Sequence, residues 1–271
     1  MLIDFHTHAF PDAIAPRALG LLIERMEKRQ GESILPAADG TAAGLLRLME
    51  EEQIDKSVLL PIATRPQNTA SVNRFSKSLE SGKIVPFGSV HPMQEDWEAA
   101  LEEAAACGFP GIKLHPEFQE FFVDSPESVR VLKKCAALKL IVVFHAGEDV
   151  GYEPPVHCTP LRLLSAMDAA PGVTVVAAHM GGFRMWDDVA KYLADSPCYI
   201  DTAYVQKEMP ADTCLDLIRL FGAERVLFAS DSPWSRPRTE SWAFLENLGL
   251  SGAEKNLISH ENAFRLLESR K

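Results

Sequence analysis

The histidines of this chain follow a pattern. Of eight, five end or directly follow a run that reads as a β-strand: His6, His91, His115, His145 and His179. His8 stands two residues beyond His6, and in extended backbone side chains at i and i+2 face the same way, so both imidazoles can reach one ion. Neutral imidazole nitrogens suit Zn²⁺ at about 2.0–2.1 Å. A lone His-x-His pair also occurs on ordinary surfaces, so the other strand ends matter. Val143-Phe144-His145-Ala146-Gly147 places an imidazole after a wholly apolar run. A buried ring must find hydrogen-bond partners, and a backbone carbonyl would satisfy it as well as a metal. Ala177-Ala178-His179-Met180-Gly181-Gly182 repeats the arrangement, with paired glycines that let the backbone approach a ligand closely. Leu227-Phe228-Ala229-Ser230-Asp231-Ser232-Pro233 puts a carboxylate after the last apolar run, where a helix cap or a turn is the plain alternative. Together these residues could do metal-assisted chemistry. A divalent ion polarises a carbonyl and lowers the pKa of water from about 15.7 toward 7. Asp231 could then move the proton, and His179 could steady an oxyanion or relay a proton.

Such residues meet only if the chain brings its strand ends together. Eight strands are expected near Leu2–His6, Ser57–Ile62, Ile84–Val90, Gly111–His115, Leu140–His145, Val173–His179, Tyr199–Thr202 and Val226–Ser230, with amphipathic helices between them. Runs such as Ile141-Val142-Val143-Phe144 are apolar on both faces, as in parallel strands covered on both sides. Eight βα units point to a TIM (β/α)₈ barrel rather than an open doubly wound sheet, and a barrel gathers all strand C-termini on one face. A long insertion, Ala9–Gly40, follows the first strand and contains a helical piece near Ala18–Lys28; it is either a wall of the site or a surface embellishment. Extra helices are expected over Ala253–Glu268, packed outside the barrel. No Pro/Gly/Ser-rich linker interrupts residues 1–271, so one domain is expected.

Bulk properties narrow the function. The 271 residues are 46% hydrophobic and 24% charged, a globular composition. A net charge of -11 opposes nucleic-acid binding. No apolar run approaches the ~18 residues of a membrane span, and no basic leader precedes the first strand. The five cysteines are an odd number without a C-x-x-C pair, so neither disulfides nor a thiolate zinc site is expected, and a cytoplasmic setting follows. The expected partner is a small molecule, with a homo-oligomer left open.

The ligand order, His-x-His on the first strand, histidines on the fifth and sixth and an aspartate on the eighth, resembles the amidohydrolase superfamily over nearly the whole chain. Gly111-Ile112-Lys113-Leu114-His115-Pro116, Ala178-His179-Met180-Gly181-Gly182 and Glu261-Asn262-Ala263-Phe264-Arg265-Leu266-Leu267 resemble segments of the branch containing aminocarboxymuconate semialdehyde decarboxylase. The resemblance implies His6, His8, His145 and Asp231 as ligands of one divalent metal ion, zinc with manganese as alternative. It implies Asp231 as a catalytic group, and His179 as a catalytic histidine, a histidine that supports the ligands, or a second-metal ligand as in binuclear relatives. On the fourth strand Lys113 and His115 alternate onto one face; they are expected to contact substrate, while a carboxylated Lys113 bridging two ions, as in binuclear relatives, is the rival. Arg184 is a candidate clamp for a substrate carboxylate, with a rim salt bridge as its plain alternative. His91 and Asp201 read as structural. The implied activity is metal-dependent hydrolysis of a C–N or C–O bond (amide, lactone or ester) in a small, carboxylate-bearing molecule. The alternative is non-oxidative decarboxylation of a small carboxylic acid, and a barrel that keeps its metal without catalysis is a third reading.

Overall fold

The computed structural model describes residues 1–32 and 34–268. Nine short parallel strands form eight staves: β1 (Ile3–Thr7), β2 (Lys56–Leu59), β3 (Ile84–Pro86) with β4 (Gly88–Ser89), β5 (Gly111–Leu114), β6 (Ile141–Phe144), β7 (Thr174–Ala177), β8 (Tyr199–Asp201) and β9 (Val226–Leu227). β3 and β4 are one stave. Pro86 has no N–H to donate, and the ladder shifts there from β2 to β5, while Phe87 N still donates to Leu59 O at 2.9 Å. The strand order runs β1-β2-β3 and β4 through β9. The outer edges meet along a seam: Phe5 N donates to Phe228 O (2.9 Å), Asp231 N to His6 O (3.0 Å) and His8 N to Ser232 O (2.7 Å). The fold is a TIM (β/α)₈ barrel.

The last stave is shorter than the expected Val226–Ser230, because side chains replace its ladder. Ala229 N donates to Thr202 Oγ1 (2.9 Å) and Ser230 N to Asp4 Oδ1 (2.9 Å). Burial pushes the Asp4 carboxyl up to about 7, against the hydrogen bonds from Ser230 and His6. Among the described residues no helix is long and apolar enough to cross a membrane.

Helices α1 (Ala15–Gln30) and α2 (Ala42–Glu51) occupy the long connection after β1. Then α3 (Thr69–Ser78), α4 (Trp97–Ala106), α5 (Pro126–Leu138), α6 (Pro160–Ala169), α7 (Trp186–Tyr192) and α8 (Ala211–Phe221) return the chain between staves. Thr41, Ser125 and Thr159 cap α2, α5 and α6 through their hydroxyls, each accepting an N–H three residues on. After the last stave a π-helical turn, Pro237–Trp242, leads into α9 (Ala243–Glu246).

Inside the barrel, alternate residues of the staves form one apolar cluster: Ile3, Phe5, Val58, Leu60, Phe87, Ile141, Val143, Val176 and Leu227. Ala263 and Leu266 join it. α10 (Gly252–Asn256) packs outside, as expected, but α11 (Asn262–Glu268) does more: it plugs the N-terminal end, and Asn262 Nδ2 donates to Ala223 O and Val226 O at 2.7 and 2.8 Å. Large Phe87 is accommodated because its neighbour on the next stave is Gly111. A Cβ at Gly111 would lie 2.3 Å from Ile141 O and 2.6 Å from the Phe87 ring. Gly111→Ala is expected to destabilise the barrel by about 1–3 kcal/mol, the usual cost of overpacking, read as a lower denaturant midpoint at unchanged m-value.

Candidate metal centre

Gly111, Lys113 and His115 share the inward face of β5, so the polar end of that face begins where the apolar filling stops. Lys113 is only 1% exposed, among the largest fully buried side chains. Around its ammonium stand the ends of the other staves.

His6 and His8 leave β1 side by side. His6 Nδ1 bonds Asp201 Oδ2 at 2.9 Å and His8 Nδ1 bonds Leu60 O at 2.8 Å. A carbonyl or carboxylate oxygen only accepts, so each Nδ1 carries its ring's proton and each Nε2 presents a lone pair. Those two Nε2 atoms lie 3.2 Å apart, and Asp231 Oδ1 is 3.4 Å from the first and 3.2 Å from the second. Three acceptors thus face one point. The same conflict recurs one ring away. His179 Nδ1 bonds Ala203 O at 2.8 Å and His145 Nε2 bonds Glu148 O at 3.2 Å, so the remaining nitrogens, His179 Nε2 and His145 Nδ1, confront each other at 3.0 Å as two lone pairs. Only a proton or a cation resolves such contacts. Burial first, then Lys113 and neighbouring rings, depresses the pKa of His6 well below the ordinary imidazole range; burial and the neighbouring rings do the same for His145. The rings are therefore neutral, which is the form that ligates metal. Burial alone would raise Asp231, but its contact with His8 and the fields of His6, His179 and His8 hold it below the ordinary carboxylate range. This donor set fits a divalent cation.

Lys113 Nζ is 3.2 Å from His6 Nε2, and burial pulls its pKa down to about 8, opposed by Asp201 and Asp231. His115 lies flat between Phe118 and His145, with ring centroids 3.7 and 4.2 Å away and planes within 12°. Its Nε2 is 3.3 Å from Asp149 Oδ2, which is also 3.9 Å from His145 Nε2. His115, His145 and Asp149 are close enough to suggest another cation site. However, imidazole lone pairs lie in the ring plane, and two stacked parallel rings cannot both aim at one ion. An N–H of His115 Nε2 directed at Asp149 accounts for the geometry better, because the His145 Nε2 proton already goes to Glu148 O. Arg184 sits at the rim with its guanidinium already held: Nε and Nη2 reach Glu208 at 2.6 Å each, and Nη1 lies 3.6 Å from Glu148. Arg236 and Arg238 turn away to Glu52 and its backbone oxygen, fixing the segment after Asp231 to α2.

A family model described as amidohydrolase matches residues 3–268. The chain belongs to the amidohydrolase family. No curated protein matches this amidohydrolase by sequence. Among solved structures it is similar to an uncharacterized TIM-barrel protein from Bordetella bronchiseptica (TM-score 0.77, 19% identity, 99% of each chain covered). It is also similar to a dihydroxybenzoic acid decarboxylase from a Polaromonas species, solved with manganese and the inhibitor 2-nitroresorcinol (TM-score 0.71, 16% identity, 100% of this chain and 97% of that one). A third is the 5-carboxyvanillate decarboxylase of Sphingomonas paucimobilis (TM-score 0.70, 15% identity, 98% of each chain). At these identities the likeness is one of fold. The family is metal-dependent.

The structure brings His6, His8 and Asp231 into one cluster and places His145 beyond it, across His179; Lys113 touches the cluster, His115 flanks His145, and Arg184 stays on the rim. Sequence reasoning set Asp201 aside as structural. In this amidohydrolase it is fully buried and its two oxygens serve the site: Oδ2 fixes His6 while Oδ1 accepts from His179 N and Ala203 N, both at 3.0 Å. Its signal was available, since Tyr199-Ile200-Asp201 ends a strand as the other site residues do. Asp149 lies in a loop whose course no periodicity reveals.

Two measurements follow. Protein purified without chelator is expected to carry about one divalent ion per chain by elemental analysis, and less than ~0.2 without rebinding would contradict the site. Asp201→Asn keeps the shape but loses the charge that holds His6; metal affinity is expected to fall about 10–100-fold in competition with a chromophoric chelator.

Proposed function

We propose that this amidohydrolase removes a carboxyl group from a small carboxylic acid, with one divalent ion, zinc or manganese, held by His6, His8, His145 and Asp231. The observation that carries this reading is the buried Lys113 ammonium beside the cluster. A divalent ion and Lys113 would bring three positive charges against one each on Asp201 and Asp231. That leaves a positive charge in a buried site, which a carboxylate substrate neutralises. The decarboxylase neighbours, one named for a dihydroxybenzoic acid and one for 5-carboxyvanillate, support this choice over the hydrolysis expected first.

Bound there, the ion supplies Lewis acidity toward the oxygens of the substrate. Lys113 pairs with the anionic substrate and orients it. Loss of CO₂ leaves an electron pair on carbon that must receive a proton, and Asp231, ionised at rest and facing the cluster from a backbone with φ of 65°, would take that proton from water and pass it to the carbon. His179 has its Nδ1 proton committed to Ala203 O, so its free Nε2 accepts rather than donates. It serves as a base or relay, and as an oxyanion donor only once protonated. The expected cytoplasmic setting is compatible with this chemistry. Hydrolysis of an amide, lactone or ester remains the second reading, because Asp231 could equally take a proton from water.

Incubating metal-loaded protein with aromatic and aliphatic carboxylic acids tests the reading: CO₂ release is expected, and turnover of lactones or amides without CO₂ would replace it with hydrolysis. With an active substrate, His179→Asn is expected to keep the metal and lower kcat by roughly 10²–10⁴-fold. Lys113→Ala should leave metal content near one per chain and mainly raise KM, as loss of a uniform binding contact does. Two ions per chain, with one lost in that variant, would instead favour a bridging carboxylated lysine.

A further inference from the structure

Tyr204 has a backbone conformation that its residue type disfavours. Its φ is +62° and ψ is -2°, a left-handed geometry that glycine adopts freely and a bulky aromatic side chain does not. Strain of this kind persists only where the surroundings impose it. Here they do. The preceding residue is fixed at both ends, with Ala203 N donating to Asp201 Oδ1 at 3.0 Å and Ala203 O accepting from His179 Nδ1 at 2.8 Å. The carboxylate that orients His6 and the ring of His179 thus set the turn that carries Tyr204 past the C-terminal end of β8.

Its ring packs 6.0 Å from that of Phe183, which is itself 6.0 Å from His179. Gln206 Nε2 donates to Ser235 Oγ at 2.7 Å and ties this segment to the loop that follows Asp231. Burial, then Asp231 and Glu208, push the phenol up to about 12, so it stays a protonated donor throughout the physiological range. Its hydroxyl makes no hydrogen bond to another described residue. A half-buried donor near a carboxylate-bearing cluster, held there at a conformational cost, has no structural partner that explains it.

We propose that Tyr204 is a substrate-binding residue, its hydroxyl donating a hydrogen bond to an anionic oxygen of the carboxylate substrate lodged beside Asp231. This rests on the cluster of His6, His8 and Asp231 being the reaction centre. It adds a specificity element in the turn that follows β8, beside the stave that leads to Asp231, which the metal-ligand pattern does not contain.

The test is calorimetric binding of acetate and benzoate to zinc-loaded wild-type protein and to Tyr204→Phe, a change that keeps the ring and removes only the oxygen. Metal content and Tm should match between the two. At least one anion is expected to bind the wild type about tenfold or more tightly than the variant, the scale of one hydrogen bond to a charged group. Equal affinities for both anions, or no binding to either protein, would overturn the proposal. The function reading fails separately: Tyr204-dependent anion binding without CO₂ release from any acid condemns decarboxylation alone, whereas CO₂ release with unchanged kcat and KM in Tyr204→Phe condemns Tyr204 alone.

Discussion

Everything at the mouth of this barrel depends on lone pairs that face one another. A neutral imidazole has one proton and one lone pair, and committing the proton to an outer partner turns the lone pair inward. Asp201, Leu60, Ala203 and Glu148 each take a ring's proton. The inner atoms of His8, His145 and His179, with the Asp231 carboxylate, face one another as acceptors, while His6 Nε2 also meets the Lys113 ammonium at 3.2 Å. Without a cation such a cluster is electrostatically frustrated. The outer partners therefore define the centre as much as the ligands do.

The barrel supplies the rigidity that this arrangement needs. Alternate residues of the staves fill the interior, and the polar end begins at Lys113, in register with Val143, and continues with the histidines at the stave ends. On β5 and β6 the change from apolar to polar occurs between successive inward positions, two residues apart: Gly111 to Lys113 and Val143 to His145. The low-dielectric floor strengthens every charge interaction above it. Burial in the same floor depresses the pKa values of Lys113, His6 and His145, which keeps the rings of His6 and His145 neutral.

Much of this was legible in the sequence because it depends on period and position. Two-residue alternation placed Lys113 and His115 on one face, and apolar runs placed His6, His145, His179 and Asp231 at strand ends. What escaped notice depends on three-dimensional partnership. Asp201 looked like any polar residue closing a strand, and only its distances to His6 and His179 separate it from a structural aspartate. Arg184, expected as a clamp, is held by Glu208 and Glu148, which are distant in sequence and whose proximity no local pattern encodes. The break at Pro86 and the shortened last stave reflect ladder bonds taken over by other groups, again a matter of tertiary context. Preference between hydrolysis and decarboxylation was not written in the ligand order at all, since both chemistries use the same donors.

The seam between the first and last staves has a topological meaning. His6 and Asp231 lie 225 positions apart, yet both belong to the cluster and their backbones bond across the seam. An ion held by both would act as a reversible staple between the two ends of the barrel, closing almost the entire chain into a loop. By the loop-entropy argument used for covalent cross-links, joining ends so far apart restricts the unfolded chain by on the order of 5 kcal/mol. The cofactor of this enzyme would thus also be a clasp for its architecture, and cells short of metal would hold a barrel whose weakest line runs through its own reaction centre.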